Sequence, residues 1–170
     1  FNIKSKPEKY KIGYLKDLIE KDTTDSGDNI RDVIKLLKQN GISLLPINLP
    51  KNYPFKVFDI ILRSESGAHF DELVRSGKVD NMVQQNQKSR ANSLRQSRFI
   101  PAVEYIQANR FRSKLIEEMH SIMEEIDVLI SPTSGGNQLM ITNLTGHPVV
   151  CVPTGFDSEN HPTSISFLGN

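Results

Sequence analysis

A single cysteine, Cys151, stands among 170 residues, and tryptophan is absent. One thiol excludes an internal disulfide and any metal site built from several cysteines. It sits in the apolar run Pro148-Val149-Val150-Cys151-Val152, which predicts a small buried hydrophobe and not a reactive thiol. His69, His120, His147 and His161 are not spaced with one another, or with cysteine or carboxylates, as zinc requires. No metal is expected, and no cofactor. His120 reads as the polar flank of a helix, while His147 and His161 each precede a proline in turn-like segments. An excess of charge is also missing. With 21 Lys and Arg against 20 Asp and Glu, the formal charge is +1, too little to draw nucleic acid or an anionic membrane. No apolar run approaches the length of a membrane span and no signal peptide is visible, so a cytoplasmic location is expected. In that setting the sequon Asn143-Leu144-Thr145 is read as chance.

What is present is an ordinary soluble composition, 37% hydrophobic and 24% charged, in a length that fits one domain with a sizeable core. Tyr10 to Leu15 reads as a strand after a Lys/Pro leader. Asp25-Ser26-Gly27-Asp28 offers polar caps before Ile30, Val33, Ile34 and Leu37, one face of a helix that Asn40-Gly41 stops. Ile42 to Leu49 contains a proline and reads as an edge strand. Strand, helix, strand is the pattern of a βαβ unit. Helical spacing returns from Lys56 to Gly77, where Gly67 predicts a weak point or two shorter helices. Lys78 to Arg98 is polar, either a solvated helix or a connection. Pro101 opens the strongest helix, with a buried stripe through Val103, Ile106, Phe111, Leu115, Met119, Ile122, Met123 and Ile126. Val128-Leu129-Ile130 is a fully apolar strand, as in a parallel sheet covered on both faces. A brief helix over Gln138 to Leu144 and strands at Val149 to Val152 and Ser164 to Leu168 complete an α/β chain.

Ligands in open α/β sheets bind outside the carboxyl ends of strands, which points at Ser131-Pro132-Thr133-Ser134-Gly135-Gly136. A serine nucleophile there needs a base within reach and oxyanion donors. No lysine lies near in sequence and the G-x-S-x-G elbow is not met, so a turn is expected in place of a catalytic Ser134. Arg90, Arg95, Arg98, Arg110, Arg112 and Lys114 form a basic stretch, and Glu117, Glu118, Glu124 and Glu125 follow on the same helix. A salt-linked solvated face is the plainer reading, and without interleaved aromatics nucleic-acid binding is not expected.

Three stretches carry a resemblance. The long helix with Arg112 and Glu124 leads into Ile126-Asp127-Val128-Leu129-Ile130-Ser131-Pro132-Thr133; Asn143-Leu144-Thr145-Gly146-His147-Pro148 leads into Val149 to Phe156; and Lys11-Ile12-Gly13-Tyr14-Leu15 stands near the start. These are similar to the helix, Asp-apolar strand and Pro-Thr of the amidase signature family, to its Asn-x-x-Gly-x-Pro with the strand and Pro-x-Gly-Phe turn, and to its Arg-Ile-Gly strand. The resemblance covers nearly the whole chain, strongly after Arg98 and thinly between Lys51 and Gln96. It implies part of a mixed, largely parallel sheet flanked by helices, with residues 1–170 as one α/β domain from the C-terminal part of a longer amidase.

The family cleaves amide bonds with a Ser-Ser-Lys triad, which the resemblance assigns to a segment ahead of Lys11. Opening on Phe1 and ending at Gly169-Asn170 after an apolar run, the chain reads as cut from something longer. It is therefore expected to hold no catalytic residue, to supply scaffold and pocket wall for a small-molecule amide, and to be inactive alone. Arg112, Thr133, Ser134 and Asn143 are the substrate-binding candidates that the resemblance implies, with an ion pair, a strand-end turn and a helix cap as plainer roles. Ser134 to Thr142 lacks Asp and Glu, unlike the acid-containing segment of the related glutamyl-tRNA amidotransferases, which favours a hydrolytic parent. A self-standing binding domain is the rival reading. A half-covered sheet is expected to leave an apolar edge exposed and to self-associate through it.

Overall fold

The computed structural model describes residues 9–170; the leader up to Glu8 lies outside them. Contacts divide the chain into two compact units, one of residues 1–51 and 115–170 and the other of residues 52–114.

The first unit is built on β1 (Ile12–Tyr14), β2 (Leu44–Pro46), β3 (Val128–Pro132), β4 (Val149–Phe156) and β5 (Pro162–Gly169). Their order across the sheet is β2-β1-β3-β5-β4. β1 runs parallel to both β2 and β3, whereas β5 is antiparallel to both β3 and β4. The sheet is mixed, as the resemblance implies, and β2 lies at its edge, where a proline is tolerated. Between β1 and β2 come α1 (Lys16–Glu20), too short to show a period in the sequence, and α2 (Asp25–Gln39). The Thr24 hydroxyl caps α2 by accepting the Gly27 N–H at 3.2 Å, one residue ahead of the expected cap. Ile30 and Ile34 of α2 then pack with Ile12, Tyr14, Ile130 and Ile165 in one core cluster, with Val33 and Leu37 beside them.

Alternation turns Leu129, Ser131, Ser166 and Leu168 to the opposite face, and all four are buried there. Ile126 lies on that face, because a Cβ on Gly13 would stand 2.8 Å from its Cδ1 and 2.6 Å from Cγ1 of Ile47. The glycine of the Ile-Gly strand therefore serves a close approach. Leu115, Met119 and Met123, from the C-terminal part of α6 (Ala102–Met123), are also fully buried.

The β4–β5 hairpin departs from expectation. Pro153 to Phe156 is not a turn: β4 continues through it with a bulge between Pro153 and Gly155, where Gly155 takes φ 141°. The turn falls after Phe156, and the Asp157 carboxylate accepts the N–H groups of Glu159 (2.9 Å) and His161 (2.8 Å). α2 clamps this end of the hairpin. Asn29 donates to the Phe156 carbonyl (3.1 Å) and to the Thr163 hydroxyl (2.9 Å), and Asp25 accepts the Ser158 N–H at 2.7 Å. Cys151 is exposed, not buried, because β4 pairs with β5 alone and Val149 to Pro153 are all exposed. An apolar run buries only where a second layer covers it.

The second unit holds a 3₁₀ turn (Phe55–Phe58), α3 (Asp59–His69), α4 (Asp71–Arg75), a second 3₁₀ turn (Lys78–Asn81), α5 (Arg90–Ser97) and the N-terminal part of α6. The helical stretch does break in two, but at Phe70. Gly67 stays inside α3, where a Cβ would stand 2.0 Å from the Ser97 hydroxyl, so it admits α5 at close range. The polar segment thus contains a packed helix, capped by the Ser89 hydroxyl on the Asn92 N–H (3.2 Å), with Ala91, Leu94 and Ser97 buried. Arg95 pairs with Asp80, and Arg98 with Asp71, so these two arginines find acids outside the long helix. The expected stripe is also shorter at its start. Ala108 is buried, whereas Val103, Ile106 and Phe111 are 63%, 51% and 37% exposed.

Two outcomes follow from this packing. Gly13→Ala should lower the urea-unfolding free energy by about 1–3 kcal/mol through overpacking, and Ile126→Val should recover part of the loss; an unchanged stability would contradict the close approach. The second concerns acid. Hydrogen bonds from Ser158, side chain and then backbone, hold the Asp25 carboxyl below its ordinary value, and the His161 N–H does so first for Asp157. Folding thus favours both ionised forms. Their contribution is present above the usual carboxylate value and is lost as pH falls below about 4. Asp25→Asn combined with Asp157→Asn should flatten the fall in Tm over that range, measured by circular dichroism; an equal slope counts against the clamp.

Candidate functional site

β3 ends at Pro132, and the chain passes through Thr133 to Asn137 into α7 (Gln138–Thr145). This is the carboxyl end of the central strand, where open α/β sheets bind ligands. Thr133 does not stand alone there. Its hydroxyl lies 2.8 Å from the Ser164 hydroxyl and 3.4 Å from that of Ser166, and the Cys151 thiol lies 3.5 Å from Ser166. The ladder explains the grouping. Ser131 pairs with Ser166 and Ser166 with Cys151, so three strands present small polar side chains on one face, with Ser164 two residues along. The row runs from interior to solvent: Ser131 and Ser166 are buried, Thr133 and Ser164 half-buried, and Cys151 exposed.

Ser134 is exposed in the loop beyond Thr133. Asn143 is exposed within the last turns of α7 and caps neither end, since the helix starts after Asn137 and closes at Gly146. Arg112 is half-buried on α6 and belongs to the unit of residues 52–114, while the other three candidates belong to the sheet unit. The structure therefore joins Thr133 to a hydroxyl row that sequence reading misses. Ser164 is 31 positions away and meets Thr133 only through the β3–β5 register. Gln138, at the start of α7, is 2% exposed, and its Oε1 has no hydrogen-bond partner among the described residues. The available signal is its place with Ile141 and Thr142 on the buried i, i+3, i+4 face of α7.

Chemically, the row is neutral. Among the described residues the hydroxyls of Thr133, Ser164 and Ser166 bond one another and the thiol, while that of Ser131 donates to the Pro132 carbonyl at 2.6 Å, and none of these bonds involves a lysine, histidine or carboxylate. Such groups orient an amide or carbonyl and do not take its proton. No helix of the described residues is long and apolar enough to cross a membrane.

The family model for Amidase matches residues 1–150. A fatty acid amide hydrolase of Arabidopsis thaliana is 24% identical, across 92% of this chain and 29% of its own length. The A-type subunit of the glutamyl-tRNA(Gln) amidotransferase of Oceanobacillus iheyensis is also 24% identical, across 92% of this chain and 40% of its own. This chain thus spans well under half of either relative. The solved structure of a bacterial aryl acylamidase of the amidase signature family superposes with a TM-score of 0.67 at 16% identity, over 95% of this chain and 40% of that one, a likeness of fold. The match over most of its length, together with the mixed sheet, places this chain in the amidase family.

Proposed function

We propose that this chain is the C-terminal portion of an amidase signature hydrolase whose complete polypeptide cleaves a carbon–nitrogen bond in a small-molecule amide by a Ser-Ser-Lys triad. What carries the reading is the family match over residues 1–150 beside a coverage of only 29% to 40% of two relatives. In this reading residues 1–170 are one α/β portion, and their contribution is scaffold and pocket wall. Thr133, Ser134 and Asn143 contact substrate, with the neutral hydroxyl row behind Thr133 fixing its rotamer, and Arg112 is a candidate by the family resemblance alone. None of them acts as nucleophile or base, so the chain alone does not turn over. Hydrolysis is preferred to amidotransfer because Ser134 to Thr142 offers no carboxylate to hold the ammonium group of glutamine.

A simple aryl amide tests the first part: the purified chain should release no more aniline than buffer does. Turnover that disappears in Ser134→Ala would overthrow the proposal. The second part is read on the polypeptide extended upstream through its own reading frame, where a Gly/Ser-rich loop and a lysine are expected. There Thr133→Val should raise KM several-fold more than it lowers kcat, as loss of a ground-state contact does. An unchanged KM removes Thr133 from the pocket, and an upstream frame without the loop and lysine favours a binding domain instead.

A further inference from the structure

Thr133 and Ser164 are the half-buried hydroxyls of the row, and their oxygens stand 2.8 Å apart. What the two still offer a ligand follows from their protons and lone pairs. A hydroxyl has one proton to donate and two lone pairs that accept. Ser166 spends its proton on Thr133, so in its contact with Cys151 it accepts from the thiol. The contact between Thr133 and Ser164 takes one further proton, from either side. If Thr133 donates, Ser164 keeps a free proton and Thr133 a free lone pair. If Ser164 donates, Thr133 has both lone pairs filled and a free proton, while the lone pairs of Ser164 stay open. In both cases one oxygen offers a proton and its neighbour a lone pair.

That combination matches one edge of an amide. Where an N–H lies syn to the carbonyl, nitrogen and oxygen are about 2.2 Å apart by standard bond lengths. The hydroxyl oxygens, at 2.8 Å, are spaced closely enough for each to meet its own partner. The hydrogen bonds then run one way round a closed ring. They pass from the ligand N–H to one hydroxyl, from that hydroxyl to the other, and from the second to the carbonyl. Either proton order closes the ring and leaves no proton of Thr133 or Ser164 unpaired. Other ligands do not. A trans secondary amide points its N–H away from its carbonyl, so the lone pair goes unmet. An ester or carboxylate sets an acceptor against that lone pair, and for the carboxylate no bond of the row supplies a cation to offset desolvation.

We propose that Thr133 and Ser164 together read a syn C=O/N–H edge, which makes Ser164 a specificity-determining residue and the ligand a primary carboxamide, a urea or a lactam. The inference rests on the reading of Thr133 as pocket wall and narrows the amide that this wall accepts. Ser164 enters through the β3–β5 register alone, since it stands 31 positions from Thr133.

Matched probes test it. 2-Pyrrolidinone carries a syn N–H, γ-butyrolactone is the same ring with oxygen in its place, and N-methylacetamide holds its N–H trans. Titrated into the ¹⁵N-labelled chain, the lactam should shift the Thr133 and Ser164 amide resonances saturably. It should bind at least about tenfold more tightly than either other probe. Ser164→Ala should abolish the preference and Ser164→Thr, which keeps the hydroxyl, should retain it. Equal affinity for lactam and lactone, or no saturable shift, overturns the proposal. So does a preference that survives in folded Ser164→Ala. If that variant fails to fold, the lactam–lactone comparison on the unsubstituted chain decides. The same probes are then used as inhibitors of the polypeptide extended upstream. Amide hydrolysis there without a lactam preference defeats this inference alone, and shows the pair to be occupied by another segment if the resonances no longer respond. A lactam preference in a polypeptide that hydrolyses no amide defeats the proposed function and leaves the edge reading intact.

Discussion

The antiparallel pairing of β3 with β5 is where the sheet changes direction, and both the candidate site and the open edge take their positions from it. Up to β3 the strands run parallel and need long crossovers; beyond it a hairpin finishes the sheet. The register sets Ser131 against Ser166 and Pro132 against Ile165. That puts Ile165, 1% exposed, into the cluster with Ile30, Ile34 and Ile130, and leaves Ser164 and Ser166 on the face that carries Thr133. A slip of one residue would send a serine into the isoleucine cluster and Ile165 into the hydroxyl row. Burial on one face thus fixes chemistry on the other.

The hairpin is held at its far end by a different kind of contact. The polar side of α2 supplies Asn29 and Asp25, whose hydrogen bonds reach the Phe156 carbonyl, the Thr163 hydroxyl and the Ser158 N–H. Gly155 belongs to the same arrangement, since a Cβ there would stand 3.3 Å from the Asn29 amide nitrogen in a backbone that already has positive φ. α2 therefore acts twice, with isoleucines packing the strands and polar groups closing the turn.

Periodicity makes β1, α2 and β3 legible in the sequence, because each has an apolar pattern bounded by a stop or cap, and the βαβ order follows from them. Burial is less legible. Val103, Ile106 and Cys151 lie in patterns that call for a core, yet they are exposed, because pattern reports which face can be covered and not whether anything covers it. The converse holds at α5, whose packed face is Ala91, Leu94 and Ser97, too small to stand out in a polar segment. At the site, the strand-end rule finds the loop of Thr133 and Ser134. The serines behind it are invisible until register is known, since nothing in Pro162 to Gly169 marks Ser164 and Ser166 as neighbours of Thr133.

The composition of that row bears on what such a site can select. Hydroxyls satisfied by one another reach a neutral amide without stripping water from a charge, whereas a buried ion would need a partner to offset its desolvation. A row of this kind discriminates by hydrogen-bond geometry, and rejects a ligand that leaves its groups unpaired more strongly than one that merely differs in bulk. Its hydroxyls do not titrate near neutrality, so their contribution to binding is expected to be independent of pH across that range. Proton transfer, under the proposed function, has to come from residues elsewhere in the complete enzyme. Under the proposed function, recognition and acid–base chemistry are assigned to different stretches of the polypeptide. A strand-end frame fixed by the β3–β5 register is a rigid place to put the first of them.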